Sequence, residues 1–206
     1  MLSRQVAREL LRIKAVKLSP QTPFTWASGI LSPIYCDNRI ILSYPSARDI
    51  IKNAFVEISQ TFDFEVVAGV ATAGIPHGAL LADAIGKPFI YVRDKAKGHG
   101  RQNQIEGEVQ AGQKVLVIED LISTGGSSIK AVHALKEIGC EVVGTLAIFS
   151  YLFEEATAIF QAENVPLSTL SNYDILLEEA AALQYITEND LETLRAWRKN
   201  PKEWQS

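Results

Sequence analysis

The chain has 206 residues, 47% of them hydrophobic, with a formal net charge of −4, two cysteines and three histidines. That length and apolar content suffice for one full core, while the acidic balance excludes a general binder of nucleic acid or anionic membrane, which needs clustered positive charge. Cys36 and Cys140 form no CxxC pair and support neither a disulfide framework nor a zinc cage; with no membrane-length apolar run and no signal-like start, the expectation is a soluble cytoplasmic protein.

Val6, Leu10 and Ile13 recur at helical spacing, which predicts an opening amphipathic helix. The stretch "TPFTWASGILSPIYCDN" is punctuated by Pro23, Gly29 and Pro33 and reads as short extended pieces and turns. Pro45 opens a second helix, with Ile50, Ile51, Ala54, Phe55 and Ile58 on one side, that ends near Phe62. From there the pattern alternates: strand "EVVAGV", a helix from about Ile75 to Ile85, strand "PFIYV", a long polar loop, strand "KVLVIED", a helix to Ile138, and strand "EVVGTLAIF". Short apolar strands interleaved with helices imply an α/β fold with a parallel sheet covered on both faces. From Phe153 the tail reads as a helix, a short extended piece near Leu167, and two more helices ending at "LRAWRKNP".

In open parallel sheets, ligands bind beyond the carboxyl ends of the strands. Val115 to Ile118 form such a strand, Glu119 and Asp120 close it, and Ser123, Thr124, Gly125, Gly126, Ser127 and Ser128 lead into the next helix. Glycines let backbone approach a ligand, hydroxyls add donors, and the helix start offers unsatisfied N–H groups, which together make a phosphate cradle. The plain alternative is a helix cap, but a cap needs one such hydroxyl, not several. Two adjacent carboxylates repel a phosphate, yet they accept hydrogen bonds from neighbouring hydroxyls such as those of a ribose. Acids and cradle together describe a phosphoribosyl group. The stretch is neither a Walker loop, since no Lys follows the second glycine, nor a GxGxxG turn.

A second junction, "GVATAGIPHG" from Gly69 to Gly78, has only small residues in its turn and suits close approach of an anion. "VRDKAKGHGRQNQIEGEV", Val92 to Val109, carries Arg93, Lys95, Lys97, His99 and Arg101. A solvated surface loop is the plain alternative; its length, its clustered cations and the glycines Gly98 and Gly100 favour a lid.

The apolar strand, paired acids and Ser-Thr-Gly-Gly loop resemble the signature of the type I phosphoribosyltransferases. The run K-x-H-G-x-x-x-x-x-E-G is similar to the mark of that family's orotate-using branch, and the likeness extends through "FTWASGI", "SPIYCDNR", "LSYP", "ATAGI" and "WRKNP" to nearly the whole chain. The resemblance implies the type I phosphoribosyltransferase fold, a central mostly parallel sheet flanked by helices. It would be one domain with a hood over about 1–42, a core over about 43–206 and a mobile lid over about 93–108. Glu119 and Asp120 would hold the ribose hydroxyls of 5-phosphoribosyl 1-diphosphate, and Ser123, Thr124, Gly125, Gly126 and Ser127 its 5′-phosphate. Ala71, Thr72, Ala73 and Gly74, with Arg93, Lys97 and His99, would meet the diphosphate, while Tyr35, Cys36 and Thr124 would meet orotate. Catalysis would fall to Lys97, His99, Arg93 and Asp120. Mg2+ would be held by substrate and water, with no direct protein ligand, and lid residues would reach the neighbouring site of a homodimer. The implied reaction gives orotidine 5′-monophosphate and diphosphate. The alternatives are transfer to another base, or a non-catalytic sensor of the same diphosphate, which should carry a basic nucleic-acid-binding segment that this acidic chain lacks. Relatives commonly carry Lys at the positions of Leu31 and Ala27 and Lys or Arg at that of Asp94, which leaves Lys95 and Arg39 as neighbouring cations.

Overall fold

The opening amphipathic pattern forms helix α1 (Leu2–Arg12) in the computed structural model of the protein, which describes residues 1–26, 29–94 and 104–204. Val6, Leu10 and Leu11 make its buried stripe. Strands β1 (Val16–Leu18), β2 (Phe24–Thr25), β3 (Leu31–Ser32) and β4 (Ile34–Cys36) follow as two small antiparallel ribbons, β1 with β4 and β2 with β3. A 3-10 turn over Asn38–Ser43, which no periodicity announces, is capped by Asp37, whose side chain accepts from the Arg39 N–H. It leads into α2 (Pro45–Ser59).

The alternating stretch becomes β5 (Val66–Val70), α3 (Gly74–Ile85), β6 (Phe89–Val92), β7 (Ile105–Glu106), β8 (Lys114–Ile122), α4 (Gly126–Glu137), β9 (Glu141–Ser150), α5 (Glu154–Ala162) and β10 (Leu167–Asn172). Helices α6 (Tyr173–Ala182) and α7 (Glu188–Lys199) complete the order. The six strands β5 to β10 form one sheet in the order β10-β9-β8-β5-β6-β7. β5 runs parallel to both β6 and β8, β8 runs parallel to β9, and the short β7 returns antiparallel to β6. Every residue of β5 is buried, as are Val115 to Ile118 of β8, so these central strands read as continuous apolar runs because helices cover them. Helices α3 and α4 pack on β5, β8 and β9. The core beneath α4 includes Val66, Ala68, Val117, Ile129, Val132 and Leu135, each larger aliphatic contributing roughly 1.5–3 kcal/mol by leaving water.

Three elements differ from the sequence-based expectation. β8 does not stop at the two acids but continues to Ile122, because β9 keeps pairing with it through Leu121↔Phe149 and Ile122↔Ser150. The long polar loop contains a strand, β7, and the extended piece near Leu167 is a full sheet strand. A further difference is the grouping of the tail. The chain forms two units, one of Met1–Arg48 with Ser171–Ser206, the other of Asp49–Leu170, so the tail joins the amino-terminal segment instead of the core.

The reasons for that grouping lie inside the first unit. α1 packs on α6, where the buried Glu179 carboxylate accepts from Arg4 at 2.6 Å and also from the Arg8 guanidinium. Those hydrogen bonds, Arg8's first, hold the Glu179 carboxyl below its usual range. Trp197 of α7 is fully buried, donates its indole N–H to the Leu31 carbonyl at 3.0 Å and meets Trp26 edge-on at 5.6 Å. Neither contact is visible as periodicity, since each joins residues far apart in sequence.

Candidate active site

The chain leaves β5 toward β6 on one side and reaches β8 on the other, and in parallel sheets the crevice at such a reversal is where ligands bind. β5 ends at Val70, with Gly69↔Ile118 its last pair to β8. Beyond Ile118, β8 keeps a neighbour only on its β9 side. Glu119 and Asp120 therefore stand in the stretch of β8 that β5 no longer covers.

The two acids have different surroundings. Successive strand residues leave on opposite faces, yet the two side chains still share a hydrogen bond. Glu119 is buried; its carboxylate accepts from the Asp120 N–H at 3.0 Å and from the Ser128 hydroxyl at 3.2 Å. Burial foremost, then the charge of Asp120, pushes the Glu119 carboxyl well above the usual range. Asp120 is only half-buried and is the acid open to a ligand.

Gly125 opens the cradle in the left-handed region, φ 82°, and a Cβ there would lie 3.0 Å from the Phe160 ring. Conformation and space both require glycine. Gly125 is also the residue that caps α4, and among the described residues no side-chain cap hydrogen bond is made there. The helix-cap explanation of the hydroxyls thus fails, and the positive end of α4 is left to a ligand beside Thr124 and Ser127, both exposed, and half-buried Ser123. Ser128, which the sequence reading placed in the cradle stretch but gave no phosphate contact, turns inward to Glu119. Its signal was the Ser-Ser pair: adjacent helical positions lie about 100° apart, so one hydroxyl faces the ligand and the other the strand.

Gly74 begins α3, and a Cβ on it would sit 2.5 Å from the Ile118 carbonyl oxygen and 3.3 Å from the Glu119 Cα. Only glycine lets α3 press so closely on β8, which brings the turn of Ala71, Thr72, Ala73 and Gly74 beside the acids. The Ala71–Thr72 peptide is cis, the Ala71 N–H donates to Val92 at 2.8 Å, and no side chain caps α3. Arg93 follows β6, its guanidinium 3.4 Å from Glu106. Ala71, Arg93, Asp94, Ser127 and Lys130 line one recess. The structure thus unites the two small-residue turns, the two acids and Arg93 within the second unit.

Lys97, His99, Lys95 and Ala27 lie outside the described residues. In the first unit, Tyr35 is 38% exposed with its ring 5.6 Å from Phe24, and the Cys36 thiol donates to Asn38 at 3.4 Å. Leu31 is exposed on β3, and the Arg39 guanidinium is engaged by Asp37 at 2.7 and 2.9 Å. Trp26 is structural, its indole N–H on the Ile34 carbonyl at 3.1 Å.

Residues 38–158 match the family described as "Phosphoribosyl transferase domain". The chain is 56% identical over 205 residues to the orotate phosphoribosyltransferase of Listeria monocytogenes serovar 1/2a, covering 98% of each chain. Among solved structures it is similar to orotate phosphoribosyltransferase from Aeropyrum pernix, with a TM-score of 0.77, 30% identity, and 88% of this chain and 99% of that one covered. It is also similar to Leishmania donovani UMP synthase, with a TM-score of 0.83 and 27% identity over 97% of this chain, which spans 42% of that longer protein.

Proposed function

The chain belongs to the orotate phosphoribosyltransferase family, and on that premise we propose that it is a pentosyltransferase. It moves the 5-phosphoribosyl group of 5-phosphoribosyl 1-diphosphate to a ring nitrogen of orotate, giving orotidine 5′-monophosphate and diphosphate, a step of pyrimidine synthesis. The observation that carries the reading is the glycine-capped start of α4 facing the end of β8 where half-buried Asp120 stands.

The 5′-phosphate fits the N–H groups of α4's first turn with the hydroxyls of Ser123, Thr124 and Ser127. Asp120 accepts from the ribose hydroxyls, and the buried Glu119 fixes the strand beneath it. As the bond from the anomeric carbon to the diphosphate breaks, positive charge grows on the sugar and negative charge on the leaving group. No covalent nucleophile is needed, because positioning and electrostatic stabilisation supply the acceleration. Backbone N–H groups of Ala71 to Gly74 and the side chains of Arg93, Lys97 and His99 are assigned to the diphosphate. Tyr35 and Cys36 are assigned to orotate, Tyr35 offering ring face and the backbone beside Cys36 hydrogen bonds, with Thr124 as a further contact.

Among the described residues, no group of three or more His, Cys, Asp or Glu could hold a metal ion. Mg2+ would be carried by substrate oxygens and water, with Asp120 able to accept from those waters. Bound there, the ion would neutralise charge on the diphosphate. No helix among the described residues is long and apolar enough to cross a membrane. A cytoplasmic homodimer, in which lid residues serve the neighbouring site, completes the proposal.

The test is diphosphate release from 5-phosphoribosyl 1-diphosphate with Mg2+ and orotate, run beside uracil, adenine and hypoxanthine. Turnover with orotate alone is expected. Turnover with another base, or tight binding without turnover of any base, would overturn it.

A further inference from the structure

Beside the recess between the two small-residue turns, each cation among the described residues is matched by an acid of the chain itself. Arg93 lies 3.4 Å from Glu106, and Lys130 of α4 lies 3.3 Å from Asp94. Lys130 falls three residues after Ser127 on the same helix, close to one turn, so the two side chains share a face. Ser127 belongs to the phosphate cradle and Ala71 to the diphosphate turn, and both line the recess together with Lys130. The other basic groups of α4, His133 and Lys136, are engaged at its far end by Glu163.

Both members of the Lys130–Asp94 pair are well exposed, with side chains 66% and 57% accessible. An exposed pair of this kind is worth about 0–1 kcal/mol and breaks easily when a stronger anion arrives. A phosphate or diphosphate group carries more negative charge than one carboxylate and reaches Lys130 from the positive end of its own helix.

We propose that Lys130 is a substrate contact of this enzyme, held in the free protein by Asp94 and exchanging that carboxylate for a phosphate oxygen of 5-phosphoribosyl 1-diphosphate. Asp94 is then an internal stand-in for the substrate anion: it keeps the lysine placed beside the recess and sets a threshold that a weaker anion does not pass. The inference rests on the phosphoribosyl-transfer reading and adds a residue that the paired-acid and lid motifs do not contain.

The exchange gives the two partners opposite signs. Titration calorimetry of 5-phosphoribosyl 1-diphosphate with Mg2+, without orotate, should show Lys130→Met weakening binding about fivefold, the range of one exposed charge contact. Lys130→Arg should stay near wild type. Asp94→Asn should tighten binding about threefold, and that gain should vanish in the Lys130→Met background. Unchanged affinity in Lys130→Met would overturn the proposal. So would an equal Asp94→Asn gain in both backgrounds, which would mark a general charge effect. Melting temperatures of the variants check that folding is intact, as expected for two exposed side chains. Because binding is read without orotate, a chain that used Lys130 but failed to turn over orotate would overturn the activity and leave this inference standing.

Discussion

The Ser128 hydroxyl donates to the Glu119 carboxylate at 3.2 Å, tying the first turn of α4 to the strand before it. One bond therefore links the residue beneath the open acid to the helix whose start forms the cradle. The carboxyl it serves is buried, so its charge is costly.

That cost has a sign. The folded-state value of Glu119 lies above its unfolded one, so the folded protein holds the proton more tightly and loses stability as pH rises from the ordinary carboxylate range through the raised value. Glu119→Gln cannot ionise. It should melt above wild type at pH 8, and the two should converge near pH 4, as read by calorimetric scans; an equal difference at both pH values would refute the assignment.

Gly125→Ala should cost about 1–2 kcal/mol of stability, from a left-handed φ and a Cβ pressed on Phe160. Because Phe160 is part of the core and cannot easily give, the loop should move instead. Denaturant melts would measure the first effect, and a several-fold rise in KM for 5-phosphoribosyl 1-diphosphate the second. A normal KM would mean that the loop's shape does not set phosphate affinity.

In the first unit, Glu179 anchors α1 to α6 through two arginines. Glu179→Ala should lower unfolding free energy by about 2 kcal/mol, between the value of exposed pairs and that of fully buried ones, because both arginines are more than half exposed. Its carboxyl is depressed when folded, so the contribution is complete above the unfolded value and lost as pH falls below the ordinary carboxylate range toward the folded one. Urea titrations at pH 7 and pH 3 should show the wild-type advantage shrinking at the lower pH.

Lys97, proposed for the leaving group, would act when charge develops there. Lys97→Ala should reduce kcat about a hundredfold or more while KM for 5-phosphoribosyl 1-diphosphate changes far less. The reverse split, a large KM rise with kcat kept, would reduce Lys97 to a binding residue.

The central strands and the cradle were legible because their chemistry is local. "KVLVI" is apolar throughout since both faces are covered, and Gly125 answers a backbone angle at its own position. The opposite holds for features made by distant pairs. Where β8 ends depends on β9, so the acids looked terminal when they lie within the strand. The membership of the tail depends on Trp197 meeting Leu31 and on Glu179 meeting α1, which no window of sequence contains. The Lys130–Asp94 pair was hidden for the same reason, although Arg93 and Ser127, the neighbours that give it meaning, were both named.

The unit boundaries bear on how the protein is made. Asp49–Leu170 is an uninterrupted run, and all its sheet partners are present once that run has left the ribosome. The other unit draws on the segments either side of that run, so α1 must wait for α6, which is synthesised after it. Vectorial synthesis commonly favours the amino-terminal part. Here the run Asp49–Leu170 has the earlier opportunity to fold, and the buried stripe of Val6, Leu10 and Leu11 stays without its helical partner until α6 has been synthesised.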